Sequence, residues 1–192
     1  MIVDLNKAIE IVKNGGILIY PTDTAFGIGC RIDDEKAVEK LFNLRKRPTD
    51  KAVPALFASI GKVKDYVLPF EKNVEDLMKK YWPGALTIIL KCKTEKIPNL
   101  VRGGGDSLGV RIPNYDSILD LISAVGVPLV GTSANFAGQA TPFKSEDLDP
   151  NLISLADGIL IGRSKGESSS TVIDCTQKEW KILRQGSIKL EV

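Results

Sequence analysis

Two segments of this 192-residue chain place hydroxyl and amide side chains directly after short apolar runs. Residues 16–20 (GILIY) lead into Pro21-Thr22-Asp23-Thr24-Ala25-Phe26-Gly27, and residues 127–130 (VPLV) lead into Gly131-Thr132-Ser133-Ala134-Asn135. Short apolar runs bounded by glycine and proline read as core strands. In open α/β sheets, ligands bind where such strands end. Between the two in sequence stands Arg45-Lys46-Arg47-Pro48, and an arginine fork matches phosphate or carboxylate oxygens. The set predicts a pocket for an anionic molecule.

Each segment also has a purely structural reading. Thr22 to Thr24 can cap a turn at a strand end. Three cations at a helix C-terminus complement its dipole, at about 0.3–1 kcal/mol each. Thr132 to Asn135 is either a ligand-facing set or a helix N-cap. Residues 168–171 (SSST) form either a solvated loop or a cradle of hydroxyl and N–H groups for an anion. Arg111, in the apolar run 108–112, must be paired if buried, by a ligand carboxylate or by a structural Asp. Residues 102–106 (RGGGD) read as a loop, and Arg184 adds a further cation near the last strand.

Composition narrows the chemistry. Histidine is absent, which excludes Ser-His and Cys-His nucleophiles and the commonest zinc ligand. Cys30, Cys92 and Cys175 form no CxxC pair, so no zinc site is expected, and such sparse cysteines fit a reducing compartment. A net charge of +2 is too small to imply bulk nucleic-acid binding. No run approaches a membrane span of about 20 residues, and residues 1–10 read as an amphipathic helix without a signal-peptide core, so a soluble cytoplasmic protein is expected. Cations and neutral donors without a nucleophile suit a reaction run by positioning and electrostatics, such as attack on a nucleotide phosphorus.

The elements that must hold these groups interleave. Helices are predicted from Asp4 to the Gly15-Gly16 stop, from Asp33-Asp34 to before Pro48, and over residues 60–67, 74–80 and 117–124. Strands are predicted at 17–20, 53–58, 86–91, 108–112, 127–131, 158–161, 171–174 and 181–183. The pattern predicts one mixed α/β domain over 1–192, a twisted open sheet with flanking helices. Residues 163–170 (RSKGESSS) are apt for a mobile loop, a lid over the nucleotide.

The order PTDTAFGIG, RKRP, WPGALTIIL, GVRIP, VGTSAN, SSSTVID and LRQG, spanning residues 16–186, resembles the threonylcarbamoyl-AMP synthase (YrdC-like) family in its short, single-domain form. The resemblance implies a YrdC-like sheet with a basic concave face. It implies condensation of L-threonine, bicarbonate and ATP, with Mg²⁺, to threonylcarbamoyl-AMP and pyrophosphate. Partner proteins would then carry the threonylcarbamoyl group to tRNA position 37, with direct tRNA contact left open. By the same carry-over Arg45, Arg47, Ser133 and Asn135 are catalytic and ATP-binding, Arg184 is ATP-binding, and Thr24, Arg111, Thr132 and Ser170 bind threonine. Arg45 stands where the family usually has Lys, with an alternative register that would use Lys46, and LRQG replaces Leu-Arg-Pro-Gly. A non-catalytic RNA-binding module, or a paralogue with changed chemistry, is the competing reading.

Overall fold

The computed structural model describes residues 1–190. β1 (Ile2–Val3) precedes α1 (Leu5–Lys13), so the first residues are strand rather than the expected helix. Asp4 sets the boundary: its Oδ1 accepts from the Lys7 N–H at 2.9 Å, satisfying a first-turn donor. β2 (Leu18–Tyr20) and β3 (Gly27–Gly29) follow, then α2 (Glu35–Leu44), capped by Asp34 through the Ala37 N–H. Next come β4 (Ala55–Leu56), α3 (Ile60–Lys64), α4 (Lys72–Tyr81), β5 (Leu86–Lys91) and α5 (Asn99–Arg102). β6 (Ser107–Arg111), α6 (Asp116–Val125), β7 (Leu129–Val130) and β8 (Thr132–Ser133) complete the centre of the chain. α7 (Pro150–Leu155), β9 (Gly158–Leu160), β10 (Thr171–Asp174) and β11 (Lys181–Arg184) end it.

The class is mixed α/β with flanking helices, as expected, and the strands divide into two sheets. One has the order β1-β9-β2-β3-β8, the other β11-β10-β5-β6-β4-β7. They meet where β3 passes β7. A Cβ on Gly29 would lie 1.8 Å from the Val130 carbonyl oxygen, so only glycine fits there. Tyr20, fully buried, donates its hydroxyl to the same oxygen at 3.2 Å.

Alternation in the six-stranded sheet positions the site. Side chains point to opposite faces at successive residues. Leu86, Ile88 and Leu90 of β5, Leu108 and Val110 of β6, and Ile173 of β10 are buried on the core face. Each such Leu or Ile contributes about 1.5–3 kcal/mol on burial. Thr87, Ser107, Arg111 and Val172, one residue out of phase, line a cavity on the opposite face.

Candidate active site

The cavity, of about 380 Å³, lies between that open face and the two segments that leave β2 and β7. Thr22 shapes the first segment. Its Oγ1 accepts from the N–H groups of Thr24 (3.1 Å) and Ala25 (3.2 Å) and donates to the Ala25 carbonyl (2.7 Å). The capping reading therefore holds for Thr22, and both Thr22 and Thr24 line the cavity.

Arg111 reaches across from the six-stranded sheet to this turn. Its Nη2 donates to Asp23 Oδ1 at 2.6 Å, Nη1 to Thr24 Oγ1 at 3.0 Å and Nε to the Gly84 carbonyl at 3.0 Å. The Arg111 and Asp23 side chains are 8% and 11% exposed, the most buried ion pair among the described residues. The structural Asp is the partner: Asp23, read from the sequence only as part of a turn cap, pairs with Arg111.

A second cluster forms at the start of β10. Ser170 Oγ is 3.0 Å from Thr87 Oγ1 and accepts from Arg184 Nη2 at 3.0 Å, while Arg184 Nε donates to the Ser170 carbonyl at 2.9 Å. Thr87 was missed, although a lone Thr in the apolar run LTIILK was its signal. The segment joining β9 to β10 closes onto the Thr22 turn. Lys165 N–H donates to Thr22 O at 3.0 Å and Ser164 Oγ to Thr24 O at 2.9 Å. Gly166 allows this approach, since a Cβ there would stand 2.4 Å from Thr24 O.

The third wall comes from the end of α2. Lys46 N–H donates to Asn43 O and Arg47 N–H to Phe42 O, a Schellman turn in which Lys46 takes φ +52°. Glycine usually fills that position, and Lys46 is the only other residue type with positive φ among the described residues. The reversal sends the two flanking arginines different ways. Arg47 lines the cavity, anchored to the carbonyls of Lys51 (3.1 Å) and Ala52 (2.7 Å). Arg45 turns inward, 2% exposed, and binds Asn135 O through Nε (2.9 Å), Asn135 Oδ1 through Nη2 (3.0 Å) and Thr132 Oγ1 through Nη1 (2.8 Å).

Of the nine candidate residues, Arg45 and Asn135 stand behind the wall and the other seven line it. Arg45, 2% exposed and outside the cavity lining, donates one hydrogen bond from each guanidinium nitrogen to a protein oxygen. The N-cap reading of 132–135 also fails, since Thr132 and Ser133 are strand residues paired with β3. The 102–106 turn lies outside the cavity, with Gly103 in the left-handed conformation at the end of α5.

Electrostatically the cavity is one-sided. Its lining holds Arg47, Arg111 and Arg184 and no carboxylate. Burial lowers the pKa of Arg47, and burial together with Arg111 lowers that of Arg184. Burial, with Arg47 adding to it, brings Arg45 down to about 10, so its guanidinium remains charged at neutral pH. A bound anion relieves this crowding of desolvated cations. No group of three or more His, Cys, Asp or Glu among the described residues could hold a metal ion.

With this geometry in place, comparison with known proteins is informative. The Sua5/YciO/YrdC family model, described as "Telomere recombination", matches residues 10–186. A Bacillus subtilis threonylcarbamoyl-AMP synthase is 32% identical over 96% of this chain, which spans only 54% of that protein. A Xanthomonas campestris pv. campestris threonylcarbamoyl-AMP synthase is 36% identical over 88% of this chain and 91% of its own. The uncharacterized Escherichia coli protein YciO is 32% identical over 95% of this chain and 88% of its own. Among solved structures, P. abyssi Sua5 complexed with L-threonine superposes with a TM-score of 0.90 at 28% identity, covering 97% of this chain and 57% of that one. The chain thus spans about half the length of several relatives and nearly all of others. It belongs to the Sua5/YciO/YrdC family.

Proposed function

We propose that this chain is an L-threonylcarbamoyladenylate synthase, which condenses L-threonine, bicarbonate and ATP to threonylcarbamoyl-AMP and pyrophosphate. The observation that carries the reading is a cavity walled by three arginines and several hydroxyls, with no carboxylate in its lining. Relatives named for this activity, and the threonine-bound P. abyssi Sua5, support it.

Arg111 uses three of its five N–H donors within the protein and keeps two for the threonine carboxylate. Asp23 holds the net charge of that end near zero, which suits a zwitterionic amino acid. Thr24, Thr132 and Ser170 offer neutral partners to its hydroxyl. Arg47 and Arg184, unpaired by any carboxylate among the described residues, receive the triphosphate. Bicarbonate and the threonine amine lose water to give N-carboxythreonine. One carbamate oxygen then attacks the α-phosphorus, forming an O–P bond while the bond to the pyrophosphate oxygen breaks. Preorganised cations stabilise charge gathering on pyrophosphate. Magnesium accompanying ATP would supply further charge compensation at the phosphates, and the cavity lining carries no carboxylate that would hold it on the protein. No protein nucleophile takes part, so the absence of histidine is no obstacle.

We infer that the product passes to partner proteins that transfer it to tRNA and that the chain works in the cytoplasm. No helix among the described residues is long and apolar enough to cross a membrane. A paralogue with changed chemistry is favoured by one observation, the commitment of Arg45 to Asn135 and Thr132. Pyrophosphate release with threonine, bicarbonate or ATP omitted in turn tests the proposal. Release should need all three and fall at least a hundredfold in Arg47→Ala. Salt-sensitive RNA binding without threonine-dependent release identifies a binding module instead.

A further inference from the structure

The side chain of Asn135 has every polar atom engaged. Nδ2 donates to the Gln139 carbonyl at 2.6 Å, and Oδ1 accepts from Arg45 Nη2 at 3.0 Å and from Ser133 Oγ at 2.6 Å. Turning the amide over would set its NH₂ against the guanidinium and its oxygen against Gln139 O, two repulsions in place of two bonds. Arg45 therefore fixes which end of Asn135 meets Ser133. An amide oxygen only accepts, so the Ser133 proton is committed to it. Any hydrogen bond between Ser133 and a bound molecule is one that Ser133 accepts. Thr132, its neighbour, has the opposite polarity: its Oγ1 accepts from Arg45 Nη1 at 2.8 Å, which leaves its own proton free to donate.

We propose that Arg45 is a positioning residue that sets this polarity, and that Ser133 recognises a hydrogen-bond donor of the nucleotide, a ribose hydroxyl or the exocyclic amine. The inference rests on the reading of the cavity as an ATP site. A phosphate oxygen at neutral pH brings acceptors only and has nothing to give Ser133. The planar fork matters here: three nitrogens meet Asn135 O, Asn135 Oδ1 and Thr132 Oγ1 at once. A lysine ammonium cannot span the three with the same geometry. Arg45 is also buried with no carboxylate partner among the described residues, so its charge is satisfied only by these neutral acceptors.

Calorimetric binding in magnesium buffer tests this with ATP, 2′-deoxy-ATP, 3′-deoxy-ATP, the triphosphate of purine riboside, and tripolyphosphate. One analogue should bind wild-type protein about two- to tenfold more weakly than ATP, the range of one neutral hydrogen bond. Which analogue does so identifies the donor. In Ser133→Ala that difference should vanish while tripolyphosphate affinity stays unchanged. Arg45→Met should erase it likewise, with partial rescue in Arg45→Lys. Ser133 is only half-buried, so its variant decides the matter even if Arg45→Met does not fold. Loss of tripolyphosphate affinity in Ser133→Ala, or analogue penalties that persist there, overturns the inference alone. Absence of ATP binding to the wild type overturns the proposed function, and this inference with it.

Discussion

Replacing Asp23 with alanine leaves the Arg111 guanidinium buried with two neutral acceptors, Thr24 Oγ1 and Gly84 O. The pair is short, at 2.6 Å, and its side chains are 8% and 11% exposed. Removing one partner of a buried pair costs about 3–5 kcal/mol. The two surviving hydrogen bonds and the neighbouring cavity favour the low end, about 3 kcal/mol. At about 2–4 °C per kcal/mol for a chain of this size, the melting temperature should fall by about 6–12 °C. Asp23→Asn keeps an acceptor and should lose about half as much. Circular dichroism melts and urea titrations without ligand read both effects. The double variant Asp23→Ala/Arg111→Met should recover most of the loss, because no uncompensated charge remains. An Asp23→Ala protein within about 0.5 kcal/mol of wild type, or a double variant as unstable as the sum of the singles, refutes the reasoning.

Lys46→Gly relieves a left-handed residue and should stabilise the fold by about 0.5 kcal/mol, read as a raised urea midpoint; a lower midpoint contradicts the strain argument. Gly166→Ala sets a Cβ 2.4 Å from Thr24 O, so protease cleavage within 162–170 should rise and threonine affinity fall while the melting temperature changes little. Acid should unfold the protein through carboxylates held below their usual range. Burial pushes Asp157 up, but the Ile17 N–H and the Lys40 ammonium outweigh it and leave its carboxyl lowered. Hydrogen bonding to Arg31 lowers Asp33, and hydrogen bonding to Lys91 lowers Asp106. Their stabilisation is present above the unfolded pKa of about 3.9 and is lost as pH falls through the lowered folded values. Urea midpoints should therefore drop below about pH 4, less steeply in Asp157→Asn; an unchanged slope removes Asp157 from the account.

Much of this was legible in the residues. Asp4 and Asp34 announce helix starts, and LTIILK announces a central strand. The segments following β2 and β7 do converge on one cavity. What was missed is short or defined by distant contacts. β3 consists of Gly27-Ile28-Gly29, whose glycines exist for the Tyr20 ring and the Val130 carbonyl rather than for any local propensity. β8 is two residues long and forms by pairing with β3. The opposite fates of Arg45 and Arg47 hang on one backbone reversal at Lys46, which no periodicity records. Thr87 was recoverable, because the two-residue alternation that buries Leu86 and Ile88 turns it to the other face.

The central claim is that this cavity joins threonine to the α-phosphate of ATP through a carbamate carbon. Carbon-13 bicarbonate, L-threonine and magnesium ATP should be incubated with the protein and the nucleotide products resolved by mass spectrometry. The account predicts an adenylate carrying both threonine and the labelled carbon, formed together with pyrophosphate and lost in Arg47→Ala. Pyrophosphate or AMP accumulating without that labelled adenylate contradicts it.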